Sequence, residues 1–430
     1  MDEMPTALEA LFAFLLAGTV VLLLVPLTDR FARRVGAIDL PNERSLHELP
    51  TPKLGGLAIL AGVLLAGLIW LPWGAETRAI LAGAVVIALV GFLDDVFELG
   101  AAAKLLGQTV AVIVPVSAGV TVASFTFPFL GALDPGSVDL VGLPGSGAVD
   151  LGDVGTVIGI VAVINVINLI DGVDGLAAGV CAISALTLAV IALSLAASSP
   201  PAVSAAGVLA ALTAGASLGF LRHGFPPART FMGDTGSNLL GYLLGVVAVQ
   251  GALKTNAALA LFLPLIILTV PILDTGFVVA KRLKYRRPIY RADRWHFHHR
   301  MANIGFSQRR TLAYLYSWTL VMAALALALR FVPYSDDHGH FDVAWTAVMA
   351  VCGLLALAAS VYLVEVLEIL KLRRVRLRQL VGIRREAGRP APAAGEVDRA
   401  VAQELETGSF PVIDPETGEF QAVGPDDAGS

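Results

Sequence analysis

The sequence predicts an all-α polytopic membrane protein, and three observations lead there. Hydrophobic residues fill 56% of the 430 positions and charged residues 15%, with a mean hydropathy of +0.75; soluble domains average about 45–50% and about 25%. The apolar residues gather in runs close to the roughly 20 that a helix needs to cross a hydrocarbon core about 30 Å thick. Lys and Arg are unevenly shared between loops, with ten in 281–311 and none in 122–154. This composition excludes a disordered, collagenous or fibrous chain. The two cysteines, Cys181 and Cys352, lie inside apolar runs, exclude a disulfide scaffold and read as packing residues. A net charge of −5 gives no reason to expect nucleic acid as a partner.

In chain order, eleven transmembrane helices are expected over 8–27, 54–71, 79–93, 104–121, 155–170, 176–197, 202–221, 236–254, 257–280, 312–333 and 342–370. The first stays as a span rather than a cleaved signal, because Met1-Asp2-Glu3 supplies no basic n-region. The positive-inside rule places the basic loop 281–311 in the cytoplasm. An odd number of spans then puts the N-terminus outside and the C-terminus in the cytoplasm. The Gly- and Pro-rich loop 122–154 is the outer one, a lid or spacer whose short apolar stretches suit a small hairpin. The membrane domain is expected to run over 1–370, followed by a basic juxtamembrane segment, 371–385. Its run Lys371 to Arg378 suits anionic headgroups. The tail 386–430, rich in Pro, Ala, Gly and Glu, is expected to be disordered. No internal repeat is visible, which weakens a transporter built from two similar halves.

Charged groups near the bilayer centre cost about 2.5–3.5 kcal/mol each on insertion scales, so acids at span ends call for a reason. Asp94 and Asp95 end the third span, Asn165, Asn168, Asp171 and Asp174 close the fifth, Asp234 precedes the eighth and Asp274 sits late in the ninth. All fall at the cytoplasmic end of their spans. Two adjacent carboxylates repel unless a cation, a proton or a basic side chain relieves them. Mg²⁺ with phosphate oxygens is a natural partner for Asp94 and Asp95, and a solvated helix end is the plainer alternative. Spacing by three puts Asn165, Asn168 and Asp171 on one helix face, suited to a hydrogen-bonded ligand or to interhelical bonding. In Phe231-Met-Gly-Asp-Thr-Gly-Ser237, the polar residues can cap a helix whose free N–H groups suit phosphate. Phe231 is available to stack on a base or to pack. Three histidines in four residues, His296, His298 and His299, suit either zinc or neutral donation to phosphate. Arg291, Arg294 and Arg300 add fixed positive charge for a polyanionic substrate.

Together these residues carry a family resemblance. Pro41 to His47, Pro52-Lys53-Leu-Gly-Gly56, Asp94-Asp95, Asn165 to Ala177, Phe231 to Ser237, Pro271 to Asp274 and His296 to His299 stand in the order seen in polyprenyl-phosphate N-acetylhexosamine-1-phosphate transferases. Over residues 40–310 the chain resembles the bacterial branch that uses UDP-N-acetylglucosamine (UDP-GlcNAc). The resemblance implies transfer of GlcNAc-1-phosphate to undecaprenyl or decaprenyl phosphate, giving prenyl-diphosphate-GlcNAc and UMP, with Mg²⁺ or Mn²⁺. It implies a plasma-membrane enzyme with its site facing the cytoplasm, the first membrane step of cell-wall or surface glycan synthesis.

By the same resemblance, Asp94 and Asp95 engage or deprotonate the lipid phosphate, with Asp95 sharing in metal binding, and Asp234 is a metal ligand. Asn168, Asp171 and Asp174 lie around the nucleoside, Phe231 stacks on uracil, and His296, His298, His299 and Arg300 bind the diphosphate. The muramyl-pentapeptide branch has three consecutive histidines, whereas Phe297 interrupts them here, and that branch's lysine near the Gly-Gly motif is left to Lys53 or His47. The partners implied are UDP-GlcNAc, polyprenyl phosphate and the lipid bilayer, with room for a homo-oligomer. The rivals are transfer of another UDP-HexNAc and a cation- or proton-coupled transporter. The latter predicts acids near the midplane and on both sides, which the sequence lacks.

Overall fold

Long runs of Leu, Ala, Val and Ile can satisfy their backbone inside a bilayer only by forming helices or closed barrels, and here they form helices. The computed structural model of the chain describes residues 6–40, 50–122, 125–127, 131–143, 147–196, 201–252, 265–284, 301, 306–332, 342–362, 412–413 and 420–421. The helices are α1 (Thr6–Val35), α2 (Gly55–Trp70), α3 (Ala75–Phe97), α4 (Ala101–Ser117), α5 (Leu151–Ile170), α6 (Leu176–Ala196), α7 (Pro201–Gly224), α8 (Gly233–Ala252), α9 (Thr269–Lys284), α10 (Gln308–Phe331) and α11 (Val343–Tyr362). Among the described residues seven of them, α1, α3, α5, α6, α7, α10 and α11, contain a segment long and apolar enough to cross a membrane. α2 and α4 are apolar but have only 16 and 17 residues.

Two compact units form, Met1–Arg291 with Leu312–Cys352, and Ala292–Thr311 with Gly353–Ser430. In the second, β7 (Val412–Ile413) and β8 (Phe420–Gln421) pair antiparallel. In the first, β1 (Ile38–Asp39) pairs antiparallel with β2 (Thr51–Pro52) just ahead of α2. The expected small hairpin in 122–154 is two hairpins, β3 (Phe125–Phe127) with β4 (Gly131–Leu133) and β5 (Asp139–Leu143) with β6 (Gly147–Asp150). A reciprocal cap then starts α5: Asp153 N donates to Asp150 Oδ1 at 2.8 Å, and Asp150 N donates to Asp153 Oδ2 at 3.3 Å. Such a cap satisfies two amides that a helix start leaves open.

α8 is the hub of the first unit. Helices α2, α3, α5, α6 and α7 all pack on it, and Thr235 to Val247 are buried without a break. A helix enclosed on every side must be largely apolar all round, and of the polar residues that α8 does carry, Asp234, Thr235, Ser237 and Asn238 lie in its first turns. By contrast α1 exposes Leu11, Phe12, Leu15, Leu23 and Leu27, a stripe that suits lipid contact better than water. α1 and α7 approach through small residues: a Cβ added to Gly219 would lie 2.3 Å from the Gly18 carbonyl oxygen, and one added to Gly215 would lie 2.1 Å from that of Phe14. Small residues spaced by four are the usual way for membrane helices to bring their backbones close.

The chain turns tightly between α3 and α4. Glu98 takes a left-handed conformation (φ 53°) and its N–H returns to the Asp94 carbonyl at 2.9 Å, so the end of α3 and the start of α4 lie side by side. Because the clash at Gly219 is with backbone, Gly219→Val should destabilise by about 1–3 kcal/mol, read as a lower melting temperature in detergent. Gly159→Ala, where an added Cβ meets nothing within 4 Å, should leave the melting temperature unchanged or slightly higher.

Candidate active site

Four helix ends meet at one place: the ends of α3 and α5 and the starts of α4 and α8. The centre is the first turn of α8. Asp95, buried on α3, accepts from the amides of Asp234 (Oδ1, 3.0 Å) and Thr235 (Oδ2, 2.9 Å) and from the Thr235 hydroxyl (2.7 Å). It does for α8 what a capping side chain normally does from within the same helix. The chain enters α8 through Gly233 at φ +66°, where a Cβ would lie 2.2 Å from the Lys53 carbonyl oxygen and 2.5 Å from Asp95 Oδ2. Only glycine fits that position without strain. The two α8 amides expected to be free for phosphate, those of Asp234 and Thr235, are therefore occupied by Asp95, and that of Gly236 bonds the Met232 carbonyl.

Beside this clamp stands a cation that sequence reasoning passed over. Lys104, in the first turn of α4, pairs with Asp94 Oδ2 at 3.0 Å, pairs with Asp234 Oδ2 and reaches Asn168 Oδ1 at 3.4 Å. Asn168 Nδ2 donates to Asp234 Oδ1 (2.8 Å) and to Ser237 Oγ (2.9 Å). The other oxygen of Asp94 accepts the Leu99 amide at 2.8 Å. Asp94, Lys104, Asn168 and Asp234 thus form one connected polar cluster drawn from four helices. The signal that could have revealed Lys104 is its solitude, as a lone charge four residues before Gln108 in an otherwise apolar run.

The loop 171–175 closes the other side. Asp174 Oδ2 accepts the Ala228 amide at 2.9 Å, tying this loop to the segment leading into α8. Tyr316 of α10 donates to the Gly175 carbonyl at 2.6 Å. No described donor hydrogen-bonds the Asp171 carboxylate, and burial together with the nearby Asp234, Asp95 and Asp174 carboxylates pushes its pKa well up. The segments that carry Phe231 and Lys53 run side by side through backbone rungs: Phe231 N donates to the Pro52 carbonyl (2.8 Å), Gly55 N to the Phe231 carbonyl (3.0 Å), and Gly56 N to that of Met232 (2.9 Å), while Lys53 N donates to the Ala37 carbonyl (3.2 Å). The Gly-Gly motif thereby seats the start of α2 against the start of α8. Asp274 is buried in α9. Pro41 to His47, His296, His298, His299, Arg291, Arg294 and Arg300 lie outside the described residues.

Chemically, the cluster sets the carboxylates of Asp94, Asp95, Asp171 and Asp234 against one lysine. Such an excess calls for a further cation. Among the described residues no three His, Cys, Asp or Glu side chains form a closed metal cage. Mg²⁺ does not need one, since one or two carboxylates with substrate phosphates and retained waters complete its shell. Asp234 and the donor-free Asp171 fit that mode.

A multi-helix membrane scaffold whose helix ends converge on carboxylates, an amide and a lysine defines a membrane-embedded transferase for anionic substrates. The chain belongs to glycosyl transferase family 4, whose model matches residues 77–252, the stretch that supplies every helix of the cluster. It is 37% identical over 328 residues to a probable undecaprenyl-phosphate N-acetylglucosaminyl 1-phosphate transferase of Bacillus subtilis, covering 74% of this chain and 84% of that protein. It is 32% identical over 319 residues to the decaprenyl-phosphate N-acetylglucosaminephosphotransferase of Mycobacterium leprae, covering 68% and 76%. A phospho-N-acetylmuramoyl-pentapeptide-transferase of Desulforudis audaxviator is 34% identical over 364 residues, covering 75% and 98%.

Removing the clamp in Asp95→Ala strands two buried amides and a hydroxyl and should cost about 1–3 kcal/mol, measured as thermal stability in detergent. Asp171 behaves in the opposite sense. Its raised pKa means the folded protein holds that proton more tightly than the unfolded chain, so stability falls as pH rises through the folded value. Metal-free Asp171→Asn should therefore melt above the wild type at neutral pH, with the difference shrinking as the pH is lowered.

Proposed function

We propose that the protein transfers GlcNAc-1-phosphate from UDP-GlcNAc to a membrane polyprenyl phosphate, giving prenyl-diphosphate-GlcNAc and UMP. The observation that carries this is the Asp94–Lys104–Asp234–Asn168 cluster at converging helix ends, in a chain similar to enzymes named for that reaction. An oxygen of the lipid phosphate attacks the sugar-bearing phosphorus. The bond from that phosphorus to the bridging oxygen breaks, and UMP leaves with that oxygen. Reaction between two anions needs neutralisation and in-line positioning more than covalent chemistry.

Asp94 is the member of the acidic pair suited to meet the lipid phosphate, because Asp95 is committed to α8. Lys104 supplies fixed positive charge beside the phosphates, and Asn168 orients the Asp234 carboxylate. Asp234 with Asp171 would hold Mg²⁺ or Mn²⁺, which when bound neutralises diphosphate charge. Phe231 and Asp174 frame the nucleoside end, and His296, His298, His299 and Arg300 serve the diphosphate. The interrupted histidine motif favours GlcNAc over a muramyl-pentapeptide substrate.

Eleven spans with an outer N-terminus put all these groups on the cytoplasmic side of the plasma membrane, where the soluble nucleotide sugar is. The basic loop 281–311 and the shared end of α3, α4, α5 and α8 support that orientation. A transporter is disfavoured because Asp94, Asp95, Asp171 and Asp234 gather at one set of helix ends instead of forming a path across the membrane.

Membranes containing the protein, supplied with radiolabelled UDP-GlcNAc, prenyl phosphate and Mg²⁺, should form a lipid-linked GlcNAc product and UMP. Chelation should abolish it, and Lys104→Met and Asp234→Asn should each lower kcat by about 100-fold or more. Faster transfer from UDP-GalNAc or UDP-MurNAc-pentapeptide would reassign the sugar. No lipid product from any UDP-HexNAc would reject the reaction.

A further inference from the structure

One helical turn deeper than the charged cluster lies a second polar layer, built by three of its four helices. Gln108 follows Lys104 by four residues on α4, Asn165 precedes Asn168 by three on α5, and Asn238 follows Asp234 by four on α8. Steps of three or four return to the same helix face, so each deep residue sits below a residue of the cluster. Asn165 Nδ2 donates to Gln108 Oε1 at 2.8 Å and to the Val161 carbonyl at 2.8 Å, and Gln108 Nε2 donates to Asn238 Oδ1 at 3.5 Å. Gln108 and Asn238 are wholly buried, and among the described residues Asn238 Nδ2 has no partner. Apolar neighbours surround the layer, with Ala111 and Val112 on α4, Ile164 on α5 and Leu239 on α8 all buried.

Three amides are a poor device for stability at this depth. Interhelical hydrogen bonds between membrane helices add little net stability, and an unmet buried donor subtracts from it. What an amide offers that a leucine does not is direction. Apolar packing tolerates a helix turning or sliding slightly, whereas two linked amide bonds of fixed geometry do not. The best-attested use of a buried polar group is to fix register.

We propose that Gln108, Asn165 and Asn238 are positioning residues that set the rotation and depth of α4, α5 and α8, so that Lys104, Asn168 and Asp234 converge. None of the three touches the reacting atoms. Their effect on turnover passes through the cluster above them and rests on the transferase function proposed for it.

The test uses the full-length protein in detergent or nanodiscs. Gln108→Leu and Asn238→Leu should lower kcat by about tenfold or more, as small misplacements of catalytic groups do, while KM for UDP-GlcNAc stays within about threefold and the melting temperature holds. Either Leu variant with wild-type kcat would overturn the proposal, as would a kcat that falls only in step with the folded fraction.

The reciprocal swap covers the case in which the Leu variants fail to fold. Gln108→Asn shortens one partner and Asn165→Gln lengthens the other. The double variant should recover activity that each single variant loses, and a double variant no better than the worse single one overturns the proposal. Hydrogen exchange at the first turn of α8, measured without substrate, separates this from the reaction itself. Faster exchange there in Gln108→Leu supports positioning even if no UDP-sugar proves to be a substrate, and unchanged exchange counts against it.

Discussion

The hydrogen bonds from the start of α8 to Asp95 are what the rest of the site depends on. A helix start in the middle of a membrane bundle presents amides that neither lipid nor apolar side chains can satisfy. Asp95 answers two of them and the Thr235 hydroxyl from a different helix. That fixes α3 against α8 at one height, and the α3–α4 turn carries Lys104 to the same level. The two members of the acidic pair consequently do different work. Asp95 is spent on architecture, which leaves Asp94, bonded to Lys104 and to the Leu99 amide, as the carboxylate of the pair not committed to α8.

The charges of the cluster are only partly balanced by its own residues. Lys104 divides itself between Asp94 and Asp234, and Asn168 holds the other oxygen of Asp234. Asp171 has no share in the Lys104 contacts, and burial, with the nearby carboxylates, drives its carboxyl toward the neutral form. Electrostatic preorganisation acts most strongly where water is scarce and dipoles cannot relax. The side chains of Lys104, Asp94 and Asp234 are largely but not wholly withdrawn from solvent, and each is held by at least two partners.

Much of this was legible in the sequence, and what was hidden was hidden for physical reasons. The helical runs declare themselves by length and hydropathy, and Asp94, Asp95, Asp171 and Asp234 stand out because acids at the ends of such runs need an explanation. Lys104 did not stand out, since a lysine in the first turn of a span resembles an ordinary interfacial anchor and its partner Asp234 lies 130 residues away. The division between Asp94 and Asp95 depends on which carboxylate faces α8, and adjacent letters do not encode that. The free amides expected at the start of α8 followed soundly from local capping logic and failed because the cap comes from another helix. The extra hairpin in 122–154 arises from Gly131 and Gly147 beginning second strands where a single pairing was expected.

The distance in sequence between these partners also bears on how the protein is made. Thr235 lies 140 residues after the Asp95 that receives it, and Asp234 lies 130 after Lys104. At typical synthesis rates of about 5–20 residues per second, α3 and α4 wait on the order of ten seconds for α8 to leave the ribosome. In that interval Asp95 lacks the donors that α8 supplies, and Lys104 has Asp94 beside it but not yet Asp234. α8 is thus the last of the four helices of the cluster to be made, and Asp95 gains its donors only when that helix docks against α3.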